Sequence, residues 1–232
     1  MEKMEQNINF NTIKKQIERV KSGVNGLDNF MEGGFPKGSN IILSGLPGTG
    51  KSLFGMAYIA EGCRNNEKCL YITVEQIPAA IIKQAIQFNW NFPQWQDQGN
   101  LQVVHFDFKK PIEQKMLEDI LETIESDPYD RLVIDSISAI SHSPLPVSYY
   151  NFLIFFDKIS QKGVTTVCIA QKDEKELANK LLEYVGDGLI DFEASAVGET
   201  ENRTIQIKKL RWTKTNILQH PFEFTENGIS LI

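Results

Sequence analysis

The segment at residues 45–52 constrains the fold of this chain more than any other. It reads G-L-P-G-T-G-K-S and matches the phosphate-binding loop G-x-x-x-x-G-K-[ST]. The glycines let backbone N–H groups approach phosphate closely, the lysine places a charge on the β- and γ-phosphates, and the serine hydroxyl is a ligand for Mg²⁺. The motif predicts nucleoside triphosphate binding by Gly45, Leu46, Pro47, Gly48, Thr49, Gly50, Lys51 and Ser52.

The residues around the loop support this interpretation. An apolar run at residues 40–44 predicts a buried strand before the loop, and residues 53–61 predict a helix after it. A strand–loop–helix arrangement places the phosphates at a helix N-terminus, where free N–H groups and the helix dipole favour an anion. A chance glycine-rich turn does not require this context.

Strand and helix patterns alternate beyond the loop. The predicted strands are at residues 69–74, 101–106, 131–135 and 165–170, and the predicted helices are at residues 78–88, 113–126 and 148–161. This alternation predicts an α/β fold with a mostly parallel sheet covered on both faces. Alternating residues at 202–210, and two short strands around Asn227-Gly228 in residues 222–232, predict antiparallel strands at one sheet edge.

Length and composition limit the classes of protein. The 232 residues predict one domain at residues 19–232 after an N-terminal extension at residues 1–18. No run of 18 apolar residues predicts a membrane span, and the first 20 residues lack the apolar core of a signal peptide. Three cysteines without a C-x-x-C pattern predict free thiols in the cytoplasm. A net charge of −6 argues against a general nucleic-acid coating protein but leaves a local basic patch open.

Two carboxylates are candidates for the chemistry of the site. Asp135 ends an apolar strand, and a carboxylate at the carboxyl end of a parallel strand points into the ligand crevice, where it would hold Mg²⁺ together with Ser52. The alternative is an aspartate that begins a turn. Glu75 ends another strand and would orient or deprotonate the attacking water. The alternative is a solvated glutamate before the helix that starts at Pro78.

Three further polar residues are candidates, although spacing alone favours a structural role for each. Gln171 ends a strand, so its amide would contact the γ-phosphate; the alternative is an ordinary polar strand end. Lys209 and Arg211 would stabilise charge in the transition state, from the same or a neighbouring subunit. The alternative is a basic strand edge that resists aggregation.

Aromatic and histidine residues are interpreted as structural. Trp90, Phe92 and Trp95 would stack nucleic-acid bases if lysine or arginine lay between them, but none does, which favours core packing. The isolated histidines are His105, His142 and His220.

Several segments together resemble the KaiC-like and RadA-like branch of the RecA superfamily of ATPases. They are R-V-K-S-G-V-N-G-L-D at 19–28, G-G-F-P-K-G-S at 33–39, I-D-S-I-S-A at 134–139, D-G-L-I at 187–190, K-L-R-W-T at 209–213, H-P-F at 220–222 and N-G-I at 227–229. The resemblance runs from about Arg19 to the C-terminus and is closest to stand-alone, single-domain archaeal KaiC-like ATPases.

The resemblance implies a RecA-type core that binds ATP and Mg²⁺ between subunits of a homo-oligomer, either a hexameric ring or a filament. It implies that Glu75 activates water and that Gln171 senses the γ-phosphate. It also implies that Lys209 and Arg211 contact the γ-phosphate bound by the next subunit. The expected function is therefore an ATPase at subunit interfaces.

Departures from the family pattern leave two alternatives open. KaiC proteins usually carry two adjacent carboxylates where this chain has Glu75-Gln76, so a nucleotide sensor that signals to an unknown protein partner without hydrolysis is one alternative. No serine or threonine lies between Val167 and Ala194, so clock-type autophosphorylation is not expected.

The other alternative is a recombinase paralogue that binds single-stranded DNA. Residues 141–148 hold no lysine or arginine, and residues 172–183, for which we predict a helix, hold three lysines against four acidic residues. These two segments match the loops with which RecA-type recombinases hold DNA, so their charges argue against DNA binding. The basic residues at 208–214 keep it open.

Overall fold

The computed structural model describes residues 17–106, 113–138, 149–172, 182–197 and 200–232. The strands are β1 (Arg19–Val20), β2 (Phe35–Pro36), β3 (Asn40–Gly45), β4 (Cys69–Thr73), β5 (Leu101–His105), β6 (Arg131–Asp135), β7 (Thr165–Gln171), β8 (Gly188–Val197), β9 (Thr200–Leu210), β10 (Gln219–Thr225) and β11 (Gly228–Leu231). The helices are α1 (Lys51–Arg64), α2 (Pro78–Gln87), α3 (Phe92–Asp97), α4 (Glu113–Glu125) and α5 (Tyr149–Gln161), with a 3₁₀ turn at Leu27–Phe30.

Nine of the strands form one sheet in the order β11-β10-β9-β8-β3-β7-β6-β4-β5. Six neighbours, from β8 to β5, are parallel, and β9, β10 and β11 are added to β8 as antiparallel strands. The prediction of a mostly parallel sheet with antiparallel strands at the C-terminal edge is therefore confirmed. β1 and β2 form a separate two-stranded pair.

The central strands are buried on both faces. Every residue of β3, β4 and β6 is buried, which is the burial expected of parallel strands that are covered by helices on each side. One apolar cluster joins the sheet to α1, α2 and α3, with Phe54 and Phe92 among its members. A second cluster on the opposite face joins the sheet to α4 and α5, with Ile120 and Phe152 among its members.

The carboxyl ends of the parallel strands lie at one edge of the sheet. The phosphate loop follows β3 at this edge, and β4, β6 and β7 end beside it at Thr73, Asp135 and Gln171. Ligands of such sheets bind in the crevice outside the carboxyl ends of the strands, so the fold places the candidate residues where a ligand is expected.

The structural interpretation of the aromatic residues is confirmed. Trp90 and Phe92 are buried, and Trp95 packs against the same core. His105 contacts the Val74 carbonyl, and the His220 ring lies 3.9 Å from the Phe30 ring.

The other expectations that the described residues can test have mixed outcomes. Cys63, Cys69 and Cys168 are free, as predicted, and all three are buried. Of the strands and α-helices, α3, β8 and the short strands β1 and β2 were not predicted. In the part of the chain that the structure describes, no helix is long and apolar enough to cross a membrane. His142, residues 141–148 and most of the helix predicted at 172–183 lie outside the described residues, as do residues 1–16, so the boundary after residue 18 stays a prediction.

Candidate functional site

The phosphate loop joins the end of β3 to the start of α1, as the motif predicts. Gly48 and Gly50 have φ angles of 79° and 105°, in the left-handed region that glycine adopts without a steric penalty. Gly50 is the N-cap of α1, and no side chain caps it. The first N–H groups of α1 are therefore available to an anion at the helix N-terminus.

The remaining loop residues hold its shape. The Thr49 hydroxyl is buried and donates to the Leu46 carbonyl at 2.9 Å, which braces the turn. Pro47, Gly48 and Gly50 line a cavity of about 380 Å³ beside the loop. Leu46 is 58% exposed and does not line this cavity.

Lys51 lies folded onto the loop that carries it. Its ammonium donates to the carbonyls of Gly45 and Leu46, each at 2.7 Å, and the side chain is buried. Burial lowers the pKa of Lys51, whereas the nearby charges of Asp135 and Glu75 act to raise it. A phosphate group would offer stronger acceptors than these carbonyls, because hydrogen bonds between two charged groups are the stronger kind.

Asp135 is held at the end of β6 by a hydroxyl group. The Tyr71 hydroxyl donates to Asp135 Oδ2 at 2.6 Å, and the Ser52 hydroxyl lies near the same carboxyl group. Burial raises the pKa of Asp135, and the Tyr71 and Ser52 hydroxyls oppose that rise. Tyr71 could not be identified from the sequence, because its position inside an apolar strand is typical of a core residue.

Glu75 and Gln171 reach the same cavity as Lys51, Ser52 and Asp135. Glu75 is exposed, and its Oε1 accepts a hydrogen bond from the Ser136 hydroxyl at 2.9 Å. The Asp135–Ser136 peptide bond is cis. The five polar residues that the sequence predicted, from α1, β6, β7 and the segment after β4, are therefore brought together at one place.

Several cavity residues were not predicted as site residues from the sequence, among them Gln84, Phe88 and Phe224. Gln84 and Phe88 come from α2 and the residue after it, and Phe224 comes from β10. The Phe224 ring is 39% exposed and lies over the start of α1, 3.0 Å from where a Cβ on Gly50 would be. Only the packing of α2 and β10 against the loop shows that these residues belong to the site.

Lys209 and Arg211 lie at the opposite end of the sheet from their own phosphate loop. Leu210 pairs with Gly188, which pairs with Ile41, whereas the loop begins at Gly45. Leu210 is therefore level with Ile41, which lies four strand residues, or roughly 13 Å, from the start of the loop at Gly45. Neither side chain lines the cavity of its own chain.

Both basic residues are held by the turn before β8. The Lys209 ammonium donates to the Gly186 carbonyl at 2.6 Å, and Arg211 Nη1 lies 3.1 Å from Asp187 Oδ1. Burial lowers the pKa of Lys209, and the neighbouring charge of Arg211 adds to this effect. A phosphate bound to the same chain therefore does not share its site with these two residues.

A phosphate loop after β3, with carboxylates at the ends of β4 and β6, defines a P-loop nucleoside triphosphatase of the RecA type. Within that class, the chain belongs to the KaiC family of ATPases, because the profile described as "ATPase: KaiC" matches residues 20–232. Membership of this family supports nucleotide binding and a general ATPase function.

Individual relatives agree with the family. A UPF0273 protein from Aeropyrum pernix is 28% identical over 92% of this chain and 93% of its own length. The circadian clock oscillator protein KaiC from Parathermosynechococcus lividus is 29% identical over 93% of this chain, but the match covers 42% of that protein. The crystal structure of a KaiC-like protein from Pyrococcus horikoshii has a TM-score of 0.82 and 29% identity, and the match covers 93% of this chain and 99% of that one.

Proposed function

We propose that this protein hydrolyses Mg²⁺·ATP at sites between adjacent copies of the chain. One observation carries the proposal. The cavity of each chain gathers the phosphate loop with Asp135 and Glu75, whereas Lys209 and Arg211 lie at the far end of the same sheet. A head-to-tail assembly would bring the far end of one copy to the cavity of the next.

The cavity suggests how ATP is oriented. The triphosphate would bind the loop and the N-terminus of α1, with Lys51 turning from the loop carbonyls to the phosphates. Phe88 and Phe224 line the same cavity and offer aromatic faces for the base. The expected order along the cavity is therefore base near the aromatic rings and γ-phosphate near Glu75 and Gln171.

Ser52 and Asp135 are the residues that would hold Mg²⁺. Both present oxygen atoms, the ligand type that Mg²⁺ prefers, and both line the cavity beside the phosphate loop. Among the described residues no group of three or more histidine, cysteine or acidic side chains could hold a metal. Two protein ligands fit Mg²⁺, which takes its remaining ligands from phosphate and water. The bound ion would neutralise charge on the β- and γ-phosphate oxygens.

Glu75 is the candidate for positioning and deprotonating the attacking water. Ser136 binds one of its oxygens, so the carboxylate is fixed while the second oxygen remains for water. Gln171 lines the cavity beside it and would contact the γ-phosphate. Lys209 and Arg211 of the adjacent copy would stabilise the charge that develops on the transferred group.

A nucleotide sensor without significant hydrolysis is the second candidate. The observation that favours it is the single carboxylate of the Glu75-Gln76 pair, because both residues line the cavity and only Glu75 can act as a base. Such a protein would assemble or change its partner contacts on binding ATP.

Turnover measured over a protein concentration series, with Mg²⁺ and with light scattering as a measure of mass, separates these candidates. Specific activity that rises with assembly supports the interface ATPase. Tight ATP binding without turnover at any concentration supports the sensor and contradicts the enzyme. Adding single-stranded DNA tests the recombinase paralogue, which would show salt-sensitive binding and stimulated turnover.

A further inference from the structure

Asp187 occupies the point where β8, β3 and β9 meet. Its backbone N–H donates to the Asn40 carbonyl at 2.8 Å, and its Oδ2 accepts from the Asn40 N–H at 3.0 Å. Asn40 is the first residue of β3, the strand that leads into the phosphate loop. Asp187 therefore binds both backbone groups at the start of that strand.

The same residue also binds Arg211 twice. Its backbone carbonyl accepts from the Arg211 N–H at 2.9 Å, and its Oδ1 lies 3.1 Å from Arg211 Nη1. The two carboxylate oxygens thus serve different strands, Oδ2 at β3 and Oδ1 at the end of β9. The Asp187 side chain is 12% exposed and the Arg211 side chain is 48% exposed. A guanidinium has five N–H donors in one plane, so Asp187 leaves others available at the surface.

The turn around Asp187 cannot shift independently of the phosphate-loop strand. A Cβ on Gly186 would lie 2.6 Å from Ile42, and one on Gly188 would lie 2.7 Å from Ile41. Both isoleucines belong to β3. The turn also binds Lys209 through the Gly186 carbonyl. Lys209 and Arg211, the two residues proposed to contact the neighbour's nucleotide, are therefore both held by a segment that packs tightly against β3.

We infer that Asp187 is a positioning residue for the arginine that each subunit presents to its neighbour's nucleotide, and that it connects this arginine to the strand carrying the subunit's own phosphate loop. The inference rests on the proposed contact of Arg211 with the nucleotide bound by the adjacent subunit. Because Asp187 fixes one edge of the guanidinium, the side chain reaches the neighbouring γ-phosphate with less loss of conformational freedom. A shift of β3 when a subunit binds nucleotide would be passed to its arginine and so to the adjacent site.

A purely structural role for Asp187, supporting the start of β3, predicts a different result. That role would affect the cavity of the same chain whether or not Arg211 is present. The proposed role acts through Arg211 and disappears when Arg211 is removed. The two are separated by a double-mutant cycle, which measures how far two substitutions depend on each other.

The experiment compares ATP turnover of the assembled protein for Asp187→Asn, Arg211→Ala and the double variant. Asparagine can still accept from the Asn40 N–H but lacks the charge that holds the guanidinium. We expect Asp187→Asn to lower kcat roughly tenfold, as for the loss of a charge-assisted hydrogen bond, with KM for ATP little changed. In the Arg211→Ala background it should cause no further loss. Asp127→Asn is the matched control, because Asp127 forms a half-buried ion pair with Lys68 away from the site.

Each outcome has one meaning. If Asp187→Asn lowers kcat by the same factor in the wild-type and Arg211→Ala backgrounds, the inference is overturned. Wild-type kcat for Asp187→Asn would overturn it too. Neither result would contradict the proposed ATP site between subunits. Wild-type kcat for Arg211→Ala would contradict the proposed contact between Arg211 and the nucleotide of the neighbouring subunit. If Asp187→Asn unfolds, the same cycle is run with Asp187→Glu, whose longer side chain displaces the carboxylate from its place beside Arg211. Its loss of kcat should also disappear in the Arg211→Ala background.

Discussion

Replacing Glu75 by glutamine tests the catalytic part of the proposal. The amide keeps the shape of the side chain and can still accept the hydrogen bond from Ser136, but it cannot take a proton from water. Loss of a general base typically lowers the rate by a factor of about 10² to 10⁴. We expect a loss at the low end of that range, because Glu75 is exposed to solvent. A hundredfold loss corresponds to about 2.7 kcal/mol in the activation free energy.

The assay is steady-state phosphate release at saturating ATP, together with ATP affinity from equilibrium binding. The Glu75→Gln variant should lose kcat while its dissociation constant for ATP changes by no more than about threefold, since the loop and Lys51 are untouched. The matched control is the exchange of both residues, Glu75→Gln with Gln76→Glu, which restores the net charge. Charge alone should not rescue turnover, because position 75 is the one that Ser136 fixes.

Two results would refute this reasoning. Wild-type turnover of Glu75→Gln would remove Glu75 from the mechanism. Full rescue by the exchange would show that the charge of the segment matters and its position does not.

Three further predictions follow from the site and the core. Gly45→Ala should weaken ATP binding at least tenfold by equilibrium binding, because its Cβ would lie 2.6 Å from a β8 carbonyl and displace the loop. Asp135→Asn should bind ATP no more tightly with Mg²⁺ than with EDTA, and wild-type Mg²⁺ dependence would exclude Asp135 as a ligand. Gly228→Ala should lower the free energy of unfolding by about 2–4 kcal/mol in urea titrations, since its Cβ would lie 2.6 Å from Trp90 at φ 114°. Gly163→Ala, also at positive φ but with nothing within 4 Å, should cost only about 1 kcal/mol.

The sequence predicted five of the six parallel strands, because each of the five is a short apolar run beside a helix pattern. It missed β8, although β8 lies in the middle of the sheet between β3 and β9. The reason is that β8 carries Asp191 and Glu193, which read as a polar segment. Asp191 is buried next to β3 because Lys172 neutralises it at 2.8 Å, and that partner is 19 residues away in the chain.

The same omission left the position of Lys209 and Arg211 undetermined from the residues alone. Their distance from the phosphate loop follows from the antiparallel pairing of β9 with β8 and the parallel pairing of β8 with β3. Without β8, strand β9 has no register relative to the loop. The family resemblance supplied the trans assignment, and the register is consistent with it. Asp187, whose role follows from contacts with two strands, carries no comparable signal in its spacing.

Mixing two variants that are each impaired in turnover tests the central claim most directly. Lys51→Ala removes the phosphate-binding lysine but keeps the far end of the chain, whereas Arg211→Ala keeps the cavity and removes the arginine. If the site lies between copies, turnover should return on co-assembly, because an Arg211→Ala cavity can face an Lys51→Ala neighbour. Random equal mixing would restore about one quarter of wild-type turnover per subunit. No recovery in a mixture shown by light scattering to co-assemble would contradict the interface site.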